Sequence, residues 1–297
     1  NSANFTATAF QNKIRKAIIT VPRSITFNSK EFKVSSFSEG LLKKSKLIRT
    51  INFEENSEFR TINKNAFFGS SLVEIEISQS ELKEGWCCGA FKLDKVTVDL
   101  NNPNFSFINY SFLVGKSDSK SDVFDVLLFA RRKLIEADIP SYIKRISSYA
   151  FEGCKQLNSI SFQENSLLTS IGEYSFSNSS ITTISFPSEV REIGDYSFYN
   201  CTKLKEICFP NHSKLESIGK NAFSNSSLET LSMPFLITSN DLFKNGWCCQ
   251  TLNLNNISIL KDDRNQISYF NDSFIIGKSD TKSDIFDILL FARRDIE

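Results

Sequence analysis

Four short segments of this chain align with one another: Leu157–Phe162 (LNSISF), Ile181–Pro187 (ITTISFP), Leu204–Pro210 (LKEICFP) and Leu228–Pro234 (LETLSMP). Their first residues are 24, 23 and 24 positions apart. A fixed period of this length constrains the fold more than any composition does, because each unit is too small to bury a core alone and must stack on its neighbours. Weaker copies begin at Lys16, Leu47, Leu72, Leu93, Leu134 and Leu254. The shared pattern is Leu/Ile-x-x-Ile-x-Phe, whose apolar side chains alternate towards the end. Alternation of that kind predicts a half-buried strand in every unit.

A second signature lies between the strands: Ile62…Ala66-Phe67, Ile146…Ala150-Phe151, Ile171…Ser175-Phe176, Ile193…Ser197-Phe198 and Ile218…Ala222-Phe223. A small residue followed by Phe suits a tight or short helical turn, with the Phe filling the coil beside the strand's Ile. Gly172, Gly194 and Gly219 follow the Ile, where a bend at positive φ is expected. The pattern predicts an α/β-type repeat: a leucine-rich-repeat solenoid with a parallel sheet on one face and short helical or irregular turns on the other.

A longer period overlies the first. Gly85-Trp86-Cys87-Cys88 returns at 246–249, and the 18 residues 115–132 return at 277–294 with only three conservative changes. The stretch before each copy agrees sparsely, so these 18 residues carry a tighter physical constraint. Apolar runs on either side of Gly115-Lys116-Ser117-Asp118 predict a β-hairpin insertion. The expected organisation is one solenoid over 1–297, a slice of a longer array, with hairpin insertions at 99–133 and 260–295 and a superunit boundary near 133/134.

Units such as IGEYSFSNSS (171–180), IGDYSFYNC (193–201) and IGKNAFSNSS (218–227) resemble the BspA-like leucine-rich repeat proteins, whose consensus carries Ile-Gly-x-x-Ala-Phe-x-x-Cys. The likeness is specific over 134–234 and looser over 9–98. The GWCC and FARR elements resemble those of surface proteins of this family from parasitic protozoa. The resemblance implies cell-surface display and adhesion to host or matrix proteins, without enzymatic activity. Asn-Ser-Ser stands near the family's Cys position at 178–180 and 225–227, and the unit at 16–46 is degenerate.

The residues themselves offer little chemistry. Lys and Arg number 35 against 34 Asp and Glu, so no global field favours a nucleic-acid partner. His212 is the single histidine, too few for a Ser-His-Asp constellation or a His-based metal site. The adjacent pairs Cys87-Cys88 and Cys248-Cys249 lack the Cys-x-x-Cys gap, so no zinc site is expected. Asp118, Asp122 and Asp125 lack the spacing of a calcium loop. The Gly-Lys-Ser lacks the upstream glycine of a phosphate loop. Cys154 and Cys201 share a repeat position and read as buried filling, whereas Cys208 alternates with Ile207 and Phe209 and should face outward. Sequons at Asn4, Asn109, Asn178, Asn200, Asn211, Asn225, Asn256 and Asn271 permit secretion without showing it. No cofactor, catalytic residue or metal ligand is expected. No segment reads as a membrane span or signal peptide, so membrane attachment is expected only through regions outside this chain.

The reading that follows is a protein-binding module at the cell surface or secreted, engaging a host-cell or extracellular-matrix protein. Its expected contact strip is the outward position of each strand: Asn52, Glu76, Thr97, Asp138, Ser161, Ser185, Cys208, Ser232 and Ser258. A competing surface is the twice-copied hairpin, at Lys116, Asp118 and Asp122 and at Lys278, Asp280 and Asp284. The first rival is a cytoplasmic interaction scaffold with the same physics. The second is an enzyme using Glu136 and Asp138, which needs a pocket that an open ladder rarely supplies.

Overall fold

The computed structural model describes residues 17–77, 81–233, 246–259, 267–270, 274–277 and 288–292. The chain divides into two compact units, Asn1–Arg132 and Lys133–Glu297. Both are built from stacked parallel strands, one from each coil.

In the first unit Ile18–Val21, Thr50–Phe53, Glu74–Ile77 and Lys95–Val98 pair in parallel without slippage, so that Ile51 stands beside Ile75 and Ile75 beside Val96. In the second, Glu136–Ile139 pairs with Ser159–Phe162, while Thr183–Ser185, Glu206–Cys208, Thr230–Met233 and Asn256–Ile259 form a four-stranded parallel sheet. Each strand turns its central apolar residue inward, and Ile51, Ile75, Val96, Ile160, Ile184, Ile207, Leu231 and Ile257 are all buried. Register is held strongly here, because a one-residue slip would carry every one of these side chains to the solvent face. Two-residue strands make a second parallel ladder: Thr61–Ile62 with Glu81–Leu82 in the first unit, and Arg145–Ile146, Ser170–Ile171, Glu192–Ile193 and Ser217–Ile218 in the second.

The turns are not helical; no helix occurs among the described residues. The reason lies in where their N–H groups go. Phe151 donates to the Ser175 carbonyl (2.7 Å), Phe176 to Ser197 (2.8 Å), Phe198 to Ala222 (2.7 Å) and Phe223 to Trp247 (2.8 Å). Two residues further on, Gly153, Asn178, Asn200 and Asn225 likewise donate to the next coil. Backbone groups spent between coils are unavailable for i→i−4 bonds, so the turn propagates across the stack instead of winding into a helix. Each such turn has two left-handed residues four apart, among them Asn65/Gly69, Gly85/Gly89, Tyr149/Gly153, Tyr174/Asn178, Tyr196/Asn200 and Asn221/Asn225.

The glycines expected to supply positive φ do something else. Gly172, Gly194 and Gly219 are outside the left-handed region; a Cβ on each would lie 2.4–2.8 Å from the backbone nitrogen of the preceding coil, at Ser148, Glu173 and Asp195. Close approach of coils, not a bend, excludes side chains there.

The repeat phenylalanines form the spine. Phe67, Phe151, Phe176, Phe198 and Phe223 are fully buried. Phe151 stacks on Phe176 at 4.7 Å, and Phe176 on Phe198 at 5.1 Å. Burial of one such ring contributes roughly 1.5–3 kcal/mol, with a smaller addition from the ring–ring geometry. A second run, Phe162, Phe186 and Phe209, follows the strand ends and touches the first where Phe186 meets Phe198 edge-on at 5.9 Å.

Gly-Trp-Cys-Cys is a variant of the same turn. Gly85 and Gly246 hold the first left-handed position, which places Trp86 and Trp247 where other coils have Ala, and Cys87 and Cys248 where they have Phe. The large and small residues have exchanged places, keeping the volume of the layer. Each Trp lies edge-on to the last ladder Phe of its own unit (Phe67 at 6.4 Å, Phe223 at 6.2 Å) and meets Phe129 or Phe291 on its other side. Cys87, Cys88 and Cys248 are buried; Cys249 is exposed.

Candidate functional site

The outward residues of the strands fall into register as the alternation predicts. Asn52 pairs in the ladder with Thr20, Glu76 with Thr97, Asp138 with Ser161, and Ser185, Cys208, Ser232 and Ser258 follow one another across four strands. Glu76, Thr97, Asp138, Ser161, Ser185 and Ser258 are exposed; Asn52, Cys208 and Ser232 are half-buried. Beside this row runs another on the same face: Glu74 and Lys95 in one unit, and Glu136, Ser159, Thr183, Glu206, Thr230 and Asn256 in the other.

Hydrogen bonds fix parts of the row. Ser161 Oγ donates to Asp138 Oδ1 (2.7 Å) and Gln163 Nε2 to Asp138 Oδ2 (2.9 Å). Those two donors, Gln163 first, hold the Asp138 carboxyl below the usual aspartate range, so it stays ionised further into acid. Glu136 lies on the same strand, two residues from Asp138, and both are exposed. Ser258 Oγ donates to Ser232 Oγ (3.1 Å). Cys208 Sγ donates to Glu206 Oε1 (3.3 Å), and partial burial followed by this carboxylate raises its thiol pKa. In the first unit Lys95 pairs with Glu74 across adjacent coils.

The predicted hairpin is the second half of a three-stranded antiparallel meander. Phe105–Ile108 pairs with Phe112–Gly115, which pairs with Val126–Ala130 through a register shift at Leu113/Val114. The second copy repeats both pairings and the shift, at Ile267–Phe270, Phe274–Gly277 and Ile288–Ala292. The first strand escaped sequence reasoning because Phe105–Ile108 lies in the poorly matching stretch. The αL-tolerant Asn109 at its turn is the signal that could have found it.

The loop conserved between copies is built from within. Asp125, 2 % exposed, accepts from Ser117 N (2.8 Å) and Ser117 Oγ (2.7 Å). Lys116 Nζ lies over the Phe124 ring at 5.1 Å and 3.9 Å from Asp122. Asp118 Oδ1 accepts from Lys120 N (2.9 Å). The three aspartates thus serve separate roles around the loop. Lys278, Asp280 and Asp284 lie outside the described residues. Of the paired arginines, Arg131 joins the meander to the coil before it through Asp94 Oδ2 (2.9 Å) and the Asp94 carbonyl (3.1 Å). Arg132 is buried with its guanidinium 4.7 Å from the Phe129 ring centroid.

Cys154 and Cys201 are fully buried, as their shared position predicts. Ser179 and Ser226 occupy the same column in the alternate coils, three residues after Phe176 and Phe223. Cys201 Sγ donates to the Phe176 carbonyl (3.1 Å) and lies 3.4 Å from Ser179 Oγ; burial pushes its thiol up to about 11.

A family model described as the BspA type leucine-rich repeat region, in six copies, matches residues 4–112 and 125–253. Stacked coils with this turn define the class, and the chain belongs to the BspA-type leucine-rich repeat family. Among solved structures, it is similar to a leucine-rich repeat protein from Eubacterium ventriosum at 19% identity and a TM-score of 0.58, covering 84% of this chain and 73% of that one. It is also similar to the pneumococcal vaccine antigen PcpA at 18% identity and a TM-score of 0.50, covering 84% and 79%. At these identities the likeness shows the fold alone. No curated protein sequence matches.

Proposed function

We propose that this chain is the protein-binding repeat module of a cell-surface adhesin-like protein, and that it engages a host-cell or extracellular-matrix protein through its sheet face rather than acting as a catalyst. The observation that carries this reading is the in-register row of small polar residues, standing outward in coil after coil on a parallel sheet. Short side chains leave the face open to a partner and lose little rotamer entropy on contact. Within each unit the row changes from coil to coil, from Asn and Glu to Thr in the first and from Asp to Ser and Cys in the second, so each coil offers a different contact. Leucine-rich repeats as a family serve protein–protein interaction, and PcpA, a vaccine antigen, supports the surface placement.

Ser161→Arg, Ser185→Arg and Ser232→Arg together place three long charged side chains on the face without touching the core. The triple variant is expected to keep its circular dichroism spectrum while binding to cultured host cells and immobilised matrix proteins falls at least tenfold. Undiminished binding removes the sheet face from consideration. Loss of binding in a folded Lys116→Ala, Asp118→Ala, Asp122→Ala variant moves the contact to the meander. A chain that resists membrane-impermeant labelling on intact cells is the intracellular scaffold instead.

A further inference from the structure

Six of the seven sequons among the described residues fall into two structural groups, the seventh being Asn104, beside the buried Phe105 at the start of the meander's first strand. Asn178, Asn200 and Asn225 hold the second left-handed position of three successive turns, with φ near 58°. Their side-chain amides form a ladder: Asn225 Nδ2 donates to Asn200 Oδ1 (2.7 Å), Asn200 Nδ2 to Asn178 Oδ1 (2.6 Å), and Asn178 Nδ2 to Ser177 Oγ (2.9 Å). Every amide nitrogen in this group is already engaged, those of Asn200 and Asn225 in binding one coil to the next and that of Asn178 within its own turn. Asn178 and Asn200 are moreover only half-exposed.

Asn109, Asn211 and Asn256 are exposed, and their side-chain amides make no hydrogen bond among the described residues. Asn109 is at the tip of the meander's first turn, where Asn109 and Tyr110 have φ of 50° and 51° and Tyr110 is 88% exposed. Its sequon serine is folded beneath it, with Ser111 Oγ donating to the Asn109 carbonyl (2.9 Å). Asn211 follows Pro210 in a turn closed by Ser213 N donating to the Pro210 carbonyl (3.0 Å). Asn256 stands on the sheet face, in the strand Asn256–Ile259.

We infer that Asn109, Asn211 and Asn256 are acceptor sites for N-linked oligosaccharide, and that Asn178, Asn200 and Asn225 are bare in the folded protein. The donor class is a lipid-pyrophosphate-linked oligosaccharide. Transfer forms a bond from asparagine Nδ2 to sugar C1 and breaks the bond from C1 to the pyrophosphate oxygen. The lipid pyrophosphate leaves, and the amide gives up one proton to the transferase. At the three open sites the product projects into solvent and disturbs no contact within the fold; at Asn256 it confines the open sheet face to the strands before Asn256–Ile259. At Asn200 and Asn225 the same bond puts a saccharide where the amide nitrogen reaches the neighbouring coil, and at Asn178 where it meets Ser177 in a half-buried turn, so a chain modified there cannot close its turn stack.

The inference rests on the surface reading for its occurrence in nature, and its test separates the two by supplying the route. The full chain, carrying a cleavable secretion leader, is expressed in eukaryotic cells and collected from the medium. Enzymatic release of glycans in heavy-oxygen water converts each modified Asn to labelled Asp, read by peptide mass spectrometry. Label is expected at positions 109, 211 and 256 and none at 178, 200 and 225. Label at any ladder position of the secreted, folded protein overturns the inference, as does its absence from 109, 211 or 256. Ser180→Ala and Thr202→Ala erase two ladder sequons while leaving the asparagines, and while keeping the Ser227 hydroxyl that donates to the Thr202 carbonyl (2.7 Å). Their combination is expected to secrete at least as well as the parent and with the same melting temperature. A fall in both, together with label at position 178 or 200 in the parent that the variant lacks, shows that glycans on the ladder support the fold and refutes the inference. Failure of host-cell binding leaves this result untouched.

Discussion

Ser175 and Ser197 occupy the turn position that is Ala in the coils of Ala66, Ala150 and Ala222. Both are fully buried, and neither hydroxyl has a hydrogen-bond partner. A buried, unsatisfied hydroxyl costs about 1–3 kcal/mol of desolvation that nothing returns. Ser175→Ala or Ser197→Ala removes only that oxygen, leaves a cavity too small to matter, and restores the family's residue. Each is therefore expected to stabilise by about 1 kcal/mol, which raises the melting temperature of a unit of this size by roughly 2–4 °C. The two coils are adjacent, so the double variant tests additivity as well. Ser224→Ala is the control of opposite sign: its hydroxyl lies 2.9 Å from the Gly246 carbonyl and 3.0 Å from Asn221 Oδ1, and its loss is expected to destabilise by about 0.5–1.5 kcal/mol. Differential scanning calorimetry on the full chain reads all four proteins. If Ser175→Ala and Ser197→Ala lower the transition as Ser224→Ala does, the hydroxyls have partners and the turn geometry is not as described.

The glycines that admit the neighbouring coil should be intolerant for a steric reason. Gly194→Ala puts a Cβ about 2.8 Å from Glu173 N, Gly172 C and Ile171 O, all backbone, and is expected to cost at least 2–3 kcal/mol in urea denaturation; a loss below 1 kcal/mol, the propensity scale alone, refutes the close-approach argument. The thiols should separate by exposure: Cys249 reacts first with a thiol reagent at mildly alkaline pH, Cys208 more slowly because its pKa is raised, and Cys154 and Cys201 only on unfolding. Uniform labelling of all seven in the folded protein contradicts the coil register.

Much of the architecture was legible in the residues because the repeat is strict. Alternation within Leu-x-x-Ile-x-Phe placed the strands, their inward faces and the outward row, since period 2 admits only two registers and apolar burial selects one. The position of Phe after a small residue placed the spine, because only a stack of equal coils brings those rings together. The copied 115–132 segment placed the hairpin formed by the last two strands of the meander but not the meander's first strand. Three matters depended on contacts between residues far apart in sequence. The turns are tight and carry left-handed residues rather than being helical because their N–H groups bind the next coil, a choice that a single unit's sequence does not contain. Glycine's role passed from torsion to clearance, since the clash is with a backbone about 24 residues earlier, in another coil. The sequons looked alike as Asn-x-Ser/Thr, and stacking alone separated three amides committed to a ladder from three left open to solvent. Local pattern fixes what a coil is; only stacking decides what each of its polar groups is free to do.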